Sequence, residues 1–518
     1  MCHKTDVEGQ LFHTDFVGLG LLRVKHLGTI TACFPYVDED TKSILQAVMN
    51  EARNYDDFAE RLCEKALKKN ASALLTYFAY FHAYLQGKYK LLKRLMDARV
   101  GSDLTHPFEL TYYARRGDPV KWSAFQKAMA AAVKMTGSDW MACHVYMAWR
   151  EFIEFFYSAD SDSDYAPLDI LESKIKSDDE YNFFLASLHR IKATRLAAEG
   201  NIEEARMWYD QAISLATKHD DLEKLANLLF EKANMVKNVS LGEAVSILKV
   251  QKGICDRIGY VDAGGLNAHC LGHIAMARGE YDAAIDYQSE YIVVRESMGL
   301  PVGLMKCVVA FLYNLKGNGK AALELAIDGK KDMASSAVCF AQAQEAWALL
   351  NLDRIDEAAR VLDEAKEASL KTGDEFNIGR INFIEGLIEK RNHEYSSALF
   401  SLEEALDIFD RLRGLAYINT TLVHMTDVEI EAYPTDRKAA KTEFSGPWML
   451  RLMKQVEGRE LPGFAAQALL LQAKFRFKQG RIAQSRRMLK RVLKTAEAAG
   501  LHYLKDMAEA VIPELLVS

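Results

Sequence analysis

Gly272–Ala284 reads GHIAMARGEYDAA, Ala346–Ala358 reads AWALLNLDRIDEA and Gly386–Ala398 reads GLIEKRNHEYSSA. Aligned, the three share a small first residue, a turn at the eighth position, Tyr or Ile at the tenth and alanine at the thirteenth. Ala310–Ala322 (AFLYNLKGNGKAA) departs only at Gly319, and Ala193–Ala205 (ATRLAAEGNIEEA) is a fainter copy. With the closing alanine as marker, Ala205, Ala244, Ala284, Ala322, Ala358 and Ala398 follow one another at intervals of 39, 40, 38, 36 and 40 residues. Self-similarity at a fixed period of this length is the signature of a stacked repeat.

Each copy reads as two antiparallel helices. The small residue, Gly272 or Ala310, lets the first helix touch its partner closely, and the alanine of the second helix supplies the matching hollow. Between them Gly200-Asn201, Gly279-Glu280 and Gly317-Asn318 supply a residue free to take the positive φ of a helix C-terminus. A second glycine follows the long second helix at Gly259, Gly299, Gly373, Gly414 and Gly500.

These units resemble tetratricopeptide repeats, in the longer form found in the sensor arm of maltose-regulator-type transcription activators. The family's Leu-Gly pair is literal only at Leu271-Gly272 and its Tyr only at Tyr313. The resemblance runs from about Tyr181 to Gly414 and resumes from Phe464 to Gly500, where Ala473, Gly480 and Ser485 replay the pattern. It implies an all-α, right-handed superhelical solenoid of antiparallel helix pairs. An eroded pair is expected over Tyr433–Gly463, interrupted by Pro434, Pro447 and Pro462 and by the basic Arg437, Lys438 and Lys441.

Upstream the alanine marker fades. Ala73–Met96, turning at Gly87-Lys88-Tyr89, and Pro107–Met135, turning at Gly117-Asp118, read as degenerate pairs, and Trp140–Tyr157 as a further helix. Phe16–Val37 is rich in Gly, Val, Ile and Thr, which leaves one or two short strands and a degenerate helical start as equal alternatives. The expected division is therefore residues 1–157 as an N-terminal helical region, 158–180 as an acidic linker-like segment, and 181–518 as a repeat domain of about eight pairs.

The whole chain, 518 residues with 49% hydrophobic and 26% charged residues and 9 prolines, suits long helices. A formal net charge of −7 argues against nucleic acid as partner. The 8 cysteines stand singly, without a CxxC pair, and no apolar run approaches the length of a membrane span. A cytoplasmic location, no membrane and no structural disulfides are expected.

Three stretches imitate chemical motifs and fail on spacing. Gly317-Asn318-Gly319-Lys320 lacks the leading glycine of a phosphate loop and is followed by Ala321, so it reads as an interhelix turn. Asp160, Asp162 and Asp164 open like a calcium loop, but Tyr165 and Leu171 stand where glycine and a bidentate glutamate belong. His269 and His273 share one helix face, yet no third ligand is evident, so groove lining is favoured over packing and over zinc. With no GxSxG, HExxH, Rossmann or kinase signature, neither enzyme activity nor a cofactor or metal is expected; an active site in the less readable N-terminal stretch is the remaining alternative.

Stacked pairs rotate steadily, so their first helices line a concave surface. Counting helical turns from each inner small residue places Arg190, Asn227, Asn234, His269, His273, Phe311, Asn314, Trp347, Arg380, Phe383 and Lys390 on it. Such a mixture of amide, imidazole, aromatic and cationic groups suits a recognition surface for a peptide or helix of a partner protein, the aromatics having packing between pairs as their alternative role. The expected function is a protein-binding scaffold or adaptor. The alternative is a regulatory sensor of a small ligand or regulatory peptide that acts in trans, since the activators' ATPase and DNA-binding modules have no counterpart here.

Overall fold

The computed structural model describes residues 32–53, 55–115, 122–134, 140–145, 147, 173–175, 179–237, 239–333, 337–372, 374–433 and 445–511. The expected strand segment before residue 32, the acidic segment around Asp160–Asp164, the Gly117-Asp118 turn, Gly373, and Pro434 with its basic neighbours lie outside them. Among the described residues every regular element is a helix, and Phe34–Tyr36 forms a single 3-10 turn.

Among the described residues the first part holds α1 (Glu39–Glu51), α2 (Tyr55–Ala66), α3 (Ala73–Leu85), α4 (Tyr89–Asp97), α5 (His106–Arg115) and α6 (Trp122–Lys134), with further helical residues at 140–145. Asp38 and Ser72 cap α1 and α3 through the amides of Thr41 and Leu75. Tyr77, Phe78, Phe81 and Phe108 build an aromatic core here, joined by Trp140 and His144.

The pairs follow from Leu185. They are α7/α8 (Leu185–Ala198, Ile202–Lys218), α9/α10 (Leu222–Val236, Leu241–Ile258), α11/α12 (Val261–Arg278, Tyr281–Met298) and α13/α14 (Gly303–Leu315, Gly319–Lys330). Next come α15/α16 (Val338–Asn351, Ile355–Thr372) and α17/α18 (Glu375–Arg391, Tyr395–Arg411). The series ends with α19/α20 (Leu415–Ala432, Pro447–Val456), α21/α22 (Pro462–Lys478, Ile482–Ala498) and the single helix α23 (His502–Val511). The eroded pair expected within Tyr433–Gly463 differs from the observed one, α19/α20: only the shortened second helix, α20, falls in that stretch, and α19 lies before it.

The repeat residues perform the roles that their spacing gives them. All six closing alanines are fully buried. Ser485, which replaces alanine in the last pair, is also fully buried and donates its hydroxyl to the Ala473 carbonyl at 2.8 Å. Gly386 cannot carry a side chain, because a Cβ there would stand 2.7 Å from Leu402 Cγ. The eighth residue of each copy has positive φ, whether it is glycine (Gly200, Gly279, Gly317) or not (Asp353 at 61°, His393 at 64°). Gly414 differs from expectation. Arg413 takes the left-handed turn at φ 55°, and Gly414, at φ −79°, is instead the N-cap of α19. The phosphate-loop lookalike is an interhelix turn, in which Asn318 Oδ1 caps α14 by accepting from the Ala321 amide at 3.2 Å.

Both ends of the chain lean on the pair α11/α12. Gly87, the α3–α4 turn at φ 65°, lies so close to Met298 that a Cβ would meet its Sδ at 2.8 Å. At the other end of α12 the C-terminal helices return. Tyr503 donates to the Gly279 carbonyl at 2.7 Å, and Gln467 Nε2 reaches the hydroxyls of Tyr281 and Tyr503 at 3.1 and 3.0 Å. Gly463 is obligatory at this seam, where a Cβ would stand 2.2 Å from the Gly279 oxygen.

Candidate functional site

The hollow lined by the first helices is largely occupied by α19. Leu415–Thr426 contains no charged residue, and most of it, Asn419, Thr420 and Thr421 included, is buried. It contacts α11, α17 and α21, and Asn419 Nδ2 donates to the Ala277 carbonyl at 3.4 Å. Tyr417 lies 4.7 Å from Phe311 and 5.0 Å from Phe376, centroid to centroid. Two helical turns on, His424 sits 6.1 Å from Trp347 and 5.3 Å from Phe383.

This placement decides which predicted residues meet an open surface. Phe311, Trp347 and Phe383 do come together, with Trp347 5.7 Å from Phe311 and 5.0 Å from Phe383, but each is at most 3% exposed. Asn314 is buried too; its Nδ2 donates to the Gln344 carbonyl at 3.0 Å, and its own carbonyl accepts from Asn351 Nδ2 at 3.0 Å. Lys390 pairs with Asp427 and Glu431 of α19, and Lys474 of α21 reaches the same carboxylates at 2.6 and 3.0 Å. Burial pushes the Asp427 carboxyl up, but the two lysines outweigh it and hold the group below the usual carboxylate range.

Arg190 forms a bidentate pair with Glu231, its Nε lying 3.1 and 2.9 Å from the two carboxylate oxygens. Asn227 accepts from the Tyr260 hydroxyl at 3.3 Å, and Asn234 from Lys237 at 2.6 Å. His269 Nδ1 donates to Gln288 Oε1 at 2.9 Å, which leaves its Nε2 to accept from His273 Nε2 at 3.2 Å. Burial pushes the His269 ring down to about 4 and the His273 ring well below its ordinary value, with Lys237 adding to both, so the pair is neutral. No cluster of three or more His, Cys, Asp or Glu side chains suited to a metal occurs among the described residues.

Two spaces lie beside α19, with Arg413 and Leu415 on the walls of both. A cleft of about 690 Å³ opens between α7 and α9 on one side and the turn after α18, α19 and the end of α20 on the other, and Asn234 lines it. A cavity of about 240 Å³ lies among α9, α11, α13, α17 and the start of α19, lined by His273, Phe311 and Arg380. Arg190, Asn227, His269, Asn314, Trp347, Phe383 and Lys390 line neither. The guanidinium of Arg380 is held over Phe340 at 4.0 Å and Phe376 at 4.5 Å, its Nε donating to the Tyr417 hydroxyl at 3.1 Å.

Sequence reasoning passed over Tyr417, His424, Arg413 and Arg459, all supplied after the regular repeats. The available signal was the twelve-residue run without charge at the start of α19, since a helix exposed to solvent ordinarily carries charges on its outer face.

No known family profile matches the chain, and no curated protein does. Among solved structures it is similar to aspartyl phosphate phosphatase F from Bacillus subtilis at 13% identity, covering 70% of this chain and 95% of that one with a TM-score of 0.46. It is similar also to yeast Tom70, at 13% identity over 94% of this chain and 96% of that one, TM-score 0.34. A third is the STAND protein with a tetratricopeptide repeat sensor from Pyrococcus horikoshii, at 13% identity over 88% of this chain and 74% of that one, TM-score 0.33. By its own paired helices, their period and their buried alanine contacts, the chain is a tetratricopeptide-like repeat protein.

Proposed function

We propose that the chain is an interaction protein that holds a short acidic segment of a partner in the cleft between α7–α9 and α18–α20. The observation that carries this reading is the charge of this wide cleft, which α19 leaves open. Arg190 and Glu231 neutralise each other at its edge, and Arg451 pairs with Asp410, but Arg413 and Arg459 are in no ion pair among the described residues. Their guanidinium groups suit carboxylates of a guest. A guest helix, about 10–12 Å across, is not favoured, because the position it would take is occupied by α19. No helix among the described residues is long and apolar enough to cross a membrane.

Peptides selected from a random display library against the whole chain should be acidic. Their affinity, read by fluorescence polarisation, should fall at least about tenfold with Arg459→Glu, the loss of a charge-assisted contact made repulsive. Peptides without acidic bias, or with equal affinity for both proteins, would remove the reading.

A second reading, a sensor of a small ligand, is favoured by one feature. The cleft and the 240 Å³ cavity share Arg413 and Leu415 on their walls, so a ligand in the cavity would border a peptide in the cleft.

A further inference from the structure

The cavity among α9, α11, α13 and α17 carries cations on its wall and no acid. Lys237, Arg380, Arg413 and the neutral His273 line it, and no carboxylate does. Half-buried Arg295 and Lys478 are met by carbonyl or hydroxyl oxygens alone, while other half-buried cations of the repeats have acidic partners: Arg190 has Glu231, Lys316 has Asp282, and Lys390 has Asp427. That is the ordinary way to offset the cost of removing a charge from water. Here Lys237 reaches only the amide oxygen of Asn234 at 2.6 Å. Arg380 reaches only the Tyr417 hydroxyl and, at 2.6 Å, Asn377 Oδ1. All three cations are in no ion pair among the described residues; Lys237 and Arg380 are half-buried, and Arg413 is exposed. The first turn of α19, from Gly414 to Ala416, also lines the space with no side chain capping it, which adds the positive end of an 18-residue helix. The remaining walls are apolar, among them Leu241, Ile274, Val308 and Phe311.

We propose that this cavity binds a small carboxylate carrying a compact apolar body. The carboxylate sits among Lys237, Arg380 and Arg413, and the body rests on Ile274, Phe311 and the Tyr417 ring. A volume of about 240 Å³ admits a guest of roughly ten non-hydrogen atoms, the size of an arylalkanoic acid. A bare anion would leave the apolar walls unused, and a neutral hydrocarbon would leave Lys237 and Arg413 without a counter-charge. The proposal rests on the sensor reading and adds to it the class of ligand.

The test is calorimetric titration of the whole chain with 3-phenylpropanoate, 3-phenylpropan-1-ol and inorganic phosphate. The acid should bind, and the alcohol and phosphate each at least about tenfold more weakly, by the worth of a hydrogen bond to a charged group and of a buried ring. Lys237→Gln combined with Arg413→Asn should weaken the acid at least about tenfold while leaving the melting temperature unchanged. Asparagine tolerates the left-handed backbone at residue 413, so the variant tests charge and not folding. Equal binding of acid and alcohol, binding of phosphate as tight as the acid, or failure of all three to bind overturns the carboxylate assignment. If the acid binds as expected but leaves the affinity for selected acidic peptides unchanged, the assignment stands and the sensor reading alone falls.

Discussion

The inner faces of α7 and α9 and those of α13, α15 and α17 occupy the same register of the repeat, yet one set faces a cleft and the other is core. Thr194 and Asn234 line open space, whereas Phe311, Trp347 and Phe383 are packed against Tyr417 and His424. The difference does not lie in the helices themselves. It arises because the chain comes round after α17 and lays α19 across the hollow, where the amides and charges near the early pairs stay wet and the aromatics of the later pairs become a seam. A solenoid's concave side is therefore a binding surface only where the chain's own continuation does not reach it.

The comparison can be broken most directly at Trp347. Trp347→Ala should cost about 3–5 kcal/mol in urea unfolding, the usual loss on emptying a large aromatic site in a core. A cost under about 1 kcal/mol would mean that α19 is not seated on α15.

Acid should open the same seam. Burial pushes His424 down to about 4, helped by Lys390, and His269 is likewise pushed down to about 4. Both lie below the 6.5 of an unfolded histidine, so the unfolded chain binds more protons than the native one as the pH falls between those values. The stability present above pH 6.5 is then lost on the way to pH 4, by up to about 1.4 kcal/mol per pH unit for each ring. Replacing His424→Gln should flatten the fall of melting temperature over this window. An unchanged slope would show that the ring titrates alike in both states.

The smallest effect is expected on the open side. Asn234→Ala, in the same repeat position as the buried residues, should change stability by no more than about 0.5 kcal/mol, since its side chain bonds only Lys237 at the cleft. A loss of about 2 kcal/mol or more in urea unfolding would place Asn234 in a closed core and erase the contrast with Trp347.

The period, the paired helices, the buried alanines and the turn positions were legible in residues 193–398 because they depend on contacts within a pair or with the next one, a short way along the chain. Even the left-handed residues at Asp353 and His393 fall where the glycine pattern puts them. The inward orientation of Trp347 and Phe383 was legible for the same reason. Whether inward means open was not.

That was decided by contacts between residues more than a hundred positions apart, such as Asn419 with Ala277 and Tyr503 with Gly279. They depend on the accumulated rotation of all the intervening pairs, and a small angle per pair, multiplied along the array, fixes whether a later helix misses the hollow or fills it. Local sequence sets each step; only the sum of the steps, seen in three dimensions, lays α19 in the hollow.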